Sequence, residues 1–157
     1  MRNFALLLGQ RARRDWLQVT LWVLGTALLA YAAVVGVNQS YGTDQDRANL
    51  MLTVFANPVI MLFRGLPSGV SEQQVSGFLI VPFLAMMAGF MSTFMAVRHT
   101  RTDEETGRME LVAAAGAGRL TPLVATFVHG LAANLLLGGA IAATFLALGY
   151  QADGSWV

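Results

Sequence analysis

Three runs of this sequence carry no formal charge: Trp16 to Val37, Phe78 to Val97 and Leu120 to Gly149. The only ionisable side chain in the third is His129. At a rise of ~1.5 Å per helical residue, each run is long enough to cross ~30 Å of hydrocarbon, with tilt or overhang for the longest. The chain is therefore predicted to be an all-α polytopic membrane protein with three transmembrane helices, at 16–37, 78–97 and 120–149. Composition supports this, because 12 % of residues are charged where soluble domains carry roughly 25 %. Arg2, Arg11, Arg13 and Arg14 precede the first run as they would in a secretory signal. The run is longer than a signal's apolar region and two more follow, so it reads as a retained span.

The arginines predict the orientation. Basic residues in short loops stay on the cytoplasmic side. Four lie before the first span and four more at Arg98, Arg101, Arg108 and Arg119, while 38–77 holds only Arg47 and Arg64. The N-terminus and 98–119 are expected to be cytoplasmic, 38–77 and the tail 150–157 extracellular, and the protein multi-pass in the cell's inner (plasma) membrane.

Several chemistries are excluded. Without cysteine there are no disulfides, thiolate metal sites or cysteine nucleophiles. Every basic residue other than the two histidines is an arginine, and a P-loop requires its lysine, so the chain has no such route to ATP hydrolysis. A net charge of +1 offers no broad basic surface for nucleic acid. No catalytic residue and no metal site is predicted.

Between the spans the sequence is organised. In 1–15, Phe4, Leu7, Leu8 and Arg11 recur at helical spacing, which suits an interfacial helix with its arginines among lipid phosphates; a disordered basic tail is the alternative. In 38–77, Thr43 is placed to cap a helix whose first turn holds Asp44 and Asp46 and whose apolar stripe is Leu50, Met51, Val54 and Phe55. Asn57-Pro58 interrupts it, and Gly65, Pro67 and Gly69 read as turns, so a short helical hairpin is expected. Small residues form ridges on two spans: Ala85, Gly89 and Thr93 on one, and Thr126, Gly130, Asn134, Gly138 and Ala142 on the other. Lipid gives no hydrophobic drive between helices, so such ridges read as packing faces. Thr121 and Pro122 suit the start of the third span.

The segment 98–119 gathers seven charges into its first thirteen positions. Thr102-Asp103-Glu104-Glu105 fits a capping box, and Glu104 with Arg108 is an i,i+4 pair in the favourable order. Gly116 and Gly118 close the segment. A short amphipathic helix is predicted, either a solvated hairpin that only separates two spans or a surface offered to a partner. The acidic residues favour the second, since a topology signal needs arginine alone.

The stretch RHTRTDEETGRMEL resembles, in Glu105-Thr-Gly107-Arg-Met-Glu110-Leu-Val112, the Glu-x-Gly-Thr-x-Glu-x-Leu segment of permeases in the ABC-type drug and polysaccharide exporters. More narrowly it is similar to actinobacterial permeases of polyketide-antibiotic exporters of the tetronasin-resistance type. Arg108 and Val112 stand where the broad family has Thr and Leu. The resemblance implies an ATP-driven exporter of hydrophobic antibiotics or drugs, coupled through a cytoplasmic loop to a separate ATP-binding cassette subunit. Arg101, Glu104, Glu105, Gly107, Arg108 and Glu110 would form the ATPase-coupling surface, and Gly130, Asn134, Gly138, Ala85 and Gly89 the helix-packing positions. No cofactor would be bound directly; ATP and Mg would sit in the partner subunit. Such permeases carry six spans per half, so three spans imply further permease spans or a second permease half as partners, beside the lipid membrane. The alternative is a non-transporting membrane assembly protein or an inactive permease fragment.

A proton-driven carrier would need a carboxylate within the spans, and 16–37, 78–97 and 120–149 hold none. His129 is expected to pack as a neutral imidazole with a carbonyl or hydroxyl partner, or else to be functional, as ionisable groups in membranes often are. The aromatics near span ends, such as Trp16, Tyr41 and Tyr150, fit an interfacial belt.

Overall fold

The computed structural model of the chain describes residues 2–102, 107 and 120–150. All regular structure among them is helical: α1 (Arg2–Ser40), α2 (Asp44–Phe55), α3 (Pro58–Arg64), α4 (Glu72–Val97), a π-turn (Arg98–Thr102) and α5 (Thr121–Ala147). α1, α5 and the helical stretch from Glu72 to Arg101 are each long and apolar enough to cross a membrane. The prediction of an all-α architecture with three spans holds.

α1 is one unbroken helix of 39 residues. Residues 2–15 are helical, as the spacing predicts, but they continue straight into the first span rather than forming a separate interfacial element. No proline interrupts them, and Arg11 and Asp15 are buried inside the protein, 6 % and 1 % exposed. Arg11 is thus not among lipid phosphates.

The chain divides into two compact units, residues 1–25 with 88–140 and residues 26–87 with 141–157. In the first, buried positions recur at helical spacing: Met91, Met95 and His99 on the second span, and Ala125, His129, Ala133 and Leu137 on α5. Arg11 and Asp15, one turn apart, are the buried residues of α1 here. A polar core at the start of a span is unusual, because charged groups are rarely buried unless paired.

The second unit has an apolar core of Ala30, Val34, Ile80, Leu84, Phe145 and Tyr150, and a smaller cluster of Met51, Val54 and Val75. The Tyr150 hydroxyl donates to Ser76 Oγ at 2.9 Å, so the polar end of this buried ring is satisfied. Thr43 caps α2 as its sequence predicts, accepting from Asp46 N at 3.2 Å. Arg47 draws the preceding turn onto α2 by donating to the carbonyls of Tyr41 and Gly42. Asn57 caps α3 from the residue before Pro58, accepting from Val59 N at 3.0 Å. α3 ends at Gly65, whose φ of 80° is a region that favours glycine. Asn38 donates to Glu72 Oε1 at 2.6 Å, which ties the end of α1 to the start of α4.

Candidate functional site

The polar core of the first unit is built around Asp15. His99 Nε2 and His129 Nε2 both lie against Asp15 Oδ2, the latter at 3.2 Å. The two rings meet edge to face, with centroids 5.5 Å apart. The side chains of His99 and Asp15 are almost wholly buried, and that of His129 is 10 % exposed. One carboxylate oxygen therefore receives a ring nitrogen from the π-turn and another from α5.

Arginines surround this triad. Arg14 Nε and Arg98 Nε lie 3.7 and 3.6 Å from Asp15 Oδ1, which makes no hydrogen bond of its own. Arg14 Nη2 is 2.9 Å from His99 Nδ1. A guanidinium can only donate, so Nδ1 carries the lone pair and Nε2 the hydrogen given to Asp15. Arg98 Nη1 donates to Gln18 Oε1 on α1. Arg11 Nη1 donates to Pro122 O at 3.0 Å and to Thr126 Oγ1 at 2.5 Å, reaching the first turn of α5. Burial of a charge is tolerable only with such partners.

Asp15, His99 and His129 together present a donor set of the kind that holds a metal ion, their ligand atoms lying within 4.8 Å of one another. The surroundings oppose it. A histidine that binds metal normally gives its other N–H to an acceptor, whereas His99 Nδ1 faces a guanidinium. Arg14 and Arg98 add positive charge around the position a cation would take.

Sequence reasoning did not find this site. Asp15 falls in the polar segment ahead of the first span, and no local pattern marks His99. The available signals were that the chain has two histidines, each beside or within an apolar run, and one acid directly preceding a run. For His129 the partner is a carboxylate, not the carbonyl or hydroxyl expected. The three uncharged runs hold no acid, but Asp15 directly precedes the first and is buried in the helix that continues into it.

Of the residues proposed for coupling, Arg101 is exposed at the end of the π-turn, and Gly107 has a φ of 69° that a side chain would strain. Glu104, Glu105, Arg108 and Glu110 lie outside the described residues, and with them the capping box and the i,i+4 pair. Among the packing positions, Asn134 donates to Ser92 Oγ at 2.9 Å and to Gly130 O at 2.9 Å, joining the second and third spans within the first unit. Gly138, Ala85 and Gly89 are exposed, and a Cβ added at Gly89, Gly130 or Gly138 would meet nothing within 4 Å. The buried face of α5 runs through Ala125, His129, Ala133 and Leu137, one position round from the glycine ridge.

In the second unit an apolar cavity of ≈ 490 Å³ is lined by α1 and α4, with Leu29, Ala33, Val37, Leu79, Phe83 and Leu84 among its walls.

Compared with curated proteins, the chain is 30 % identical to a multidrug efflux system permease protein of Mycobacterium tuberculosis, in an alignment covering 95 % of this chain and 27 % of that protein. The chain thus spans about a quarter of the length of that relative. No family model and no solved structure matches it.

Proposed function

We propose that this chain is a transmembrane permease component of an exporter of hydrophobic drugs or antibiotics, driven by a separate ATP-binding cassette subunit. The observation that carries the reading is the similarity to a multidrug efflux permease along 95 % of the chain, in a protein whose three long helices are apolar enough to span a membrane. The arginine count supports a cytoplasmic side for the N-terminus and 98–119, in a protein of the plasma or inner membrane. The chain does no bond chemistry itself; Glu105, Gly107 and Glu110 dock on the ATPase, with Arg101, Glu104 and Arg108 at the rim. Coupling then requires that the two nucleotide states of the ATPase make different contacts with this loop. Exposed small residues on two spans, Ala85 and Gly89 on α4 and Gly138 on α5, offer positions for close approach of further permease helices, and the tetronasin-type resemblance points to polyketide antibiotics as the cargo class.

The test replaces Glu105 and Glu110 with alanine in the full-length permease. Truncating one member of a desolvated charge pair costs ~2–5 kcal/mol, while an exposed loop charge contributes about 0–1 kcal/mol. Membrane abundance should be unchanged, co-purification of the ATPase should fall and efflux should be lost. Normal co-purification and efflux would reduce 98–119 to a solvated hairpin.

A further inference from the structure

The Asp15 triad lies where the second span gives way to the charged loop, and the backbone there is not regular α-helix. Arg98–Thr102 forms a π-turn, a geometry that appears mostly as single turns and is common at functional sites. Side chains of three of its residues hold it. Thr100 Oγ1 donates back to Ala96 O at 2.8 Å, a bond that competes with regular helix. His99, the second residue of the turn, is fixed from outside its own helix, by Asp15 on Nε2 and Arg14 on Nδ1. Arg98, the first residue, is held by Gln18 and faces Asp15. The partners Arg14, Asp15 and Gln18 all belong to α1, and Asp15 is in turn bonded by His129 of α5.

We propose that Asp15 is a register pin: through His99 it keeps residues 98–102 in the π-turn and so sets the angle at which segment 98–119 leaves the second span. A π-turn contains one residue more than the α-turn it replaces. Its reversion to α-helix would carry everything after it by one position, about 100° round the helix axis and ~1.5 Å along it. A carboxylate that receives both rings and two guanidinium groups opposes that reversion, because His99 could not rotate away without leaving a buried charge with fewer partners. Asp15, His99 and Arg98 are thus positioning residues for the loop. A bound metal is not part of the device, for Arg14 occupies the ring nitrogen whose hydrogen a metal-bound His99 would have to donate.

The consequence for transport rests on the exporter reading, whereas the register itself does not, and the experiment separates them. The chain has no cysteine, so spin labels on cysteines at Ala12 and Thr102 of the full-length chain report one distance. In the wild type a single narrow distribution is expected; in Asp15→Leu and in His99→Phe a displaced distribution; in His129→Gln, which keeps a donor for the carboxylate, the wild-type distance. Should Asp15→Leu fail to be recovered from membranes, His99→Phe decides. Unchanged distances in the recovered pin variants would overturn the proposal. So would a visible absorption band of added cobalt(II) in the wild type that is absent from His99→Phe, since that would make the triad a metal site. With the ATPase bound, Asp15→Leu should export less drug per ATP hydrolysed; if no ATPase binds even the wild type, the exporter reading falls while the distances still judge the pin.

Discussion

α4 carries a proline in its interior, Pro82. Proline has no N–H, so the carbonyl of Phe78, four residues earlier, loses its helical donor. Arg64, at the end of α3, supplies a replacement: Nη1 lies 3.4 Å from Phe78 O and 3.2 Å from Leu79 O, and the guanidinium sits 5.0 Å over the Phe83 ring and 5.8 Å over that of Phe78. Arg64→Ala removes all of these contacts. A hydrogen bond from a charged donor contributes ~1.5–3 kcal/mol, and these long ones belong at the lower figure; the rings add ~0.5–1 kcal/mol. The expected loss is therefore ~2 kcal/mol. Pro82→Ala restores the N–H that Phe78 O lacks, so in that background Arg64→Ala should cost ~1 kcal/mol less. The measurement is a double-mutant cycle on four purified proteins, following helix loss as a denaturing detergent is added. A coupling of ~1 kcal/mol changes the unfolding equilibrium about fivefold. Equal costs of Arg64→Ala in the two backgrounds would refute the carbonyl-capping argument and leave the aromatic rings as what holds the guanidinium.

Two more outcomes follow from the topology and the exposed ridge. A single cysteine at Ser40 should react with an impermeant maleimide on intact cells and one at Thr102 only after permeabilisation; the reverse pattern would overturn the arginine argument. Gly138→Leu should leave the isolated chain as stable as wild type, since nothing lies within 4 Å of an added Cβ. In the assembled permease it should reduce recovery of the detergent-extracted complex more than Leu136→Ala does, and equal recovery would show that the ridge faces lipid.

The spans were legible because an uncharged run of twenty residues has few other folds open to it. The cap at Thr43 was legible because it depends on a residue three positions away, whereas at Asn57-Pro58 the break was legible but not the cap that Asn57 gives α3. The polar core was not legible. Asp15, His99 and His129 are separated by 84 and 114 positions from their bonding partners, and no local pattern ties them. The ridges illustrate the same limit differently: spacing of four picks out both Ala125, His129, Ala133 and Leu137 and the glycine row beside it. Periodicity gives a face for each set, but only contacts say which one this chain buries for itself.

Burial of Asp15 reopens the proton-driven carrier that an absence of acidic residues had set aside, and the geometry answers it on other grounds. A carboxylate that exchanges protons with each transport cycle must be free of fixed duties between the two states. Asp15 is the common acceptor for His99 and His129, and the counter-charge of Arg14 and Arg98 at 3.7 and 3.6 Å. Removing its charge in each cycle would leave Arg14 and Arg98 without the carboxylate that both approach. The same arrangement suits a fixed joint, because its strength depends on all partners remaining in place. The acid is a fastening between α1, the π-turn and α5, since side chains from all three meet at its carboxylate.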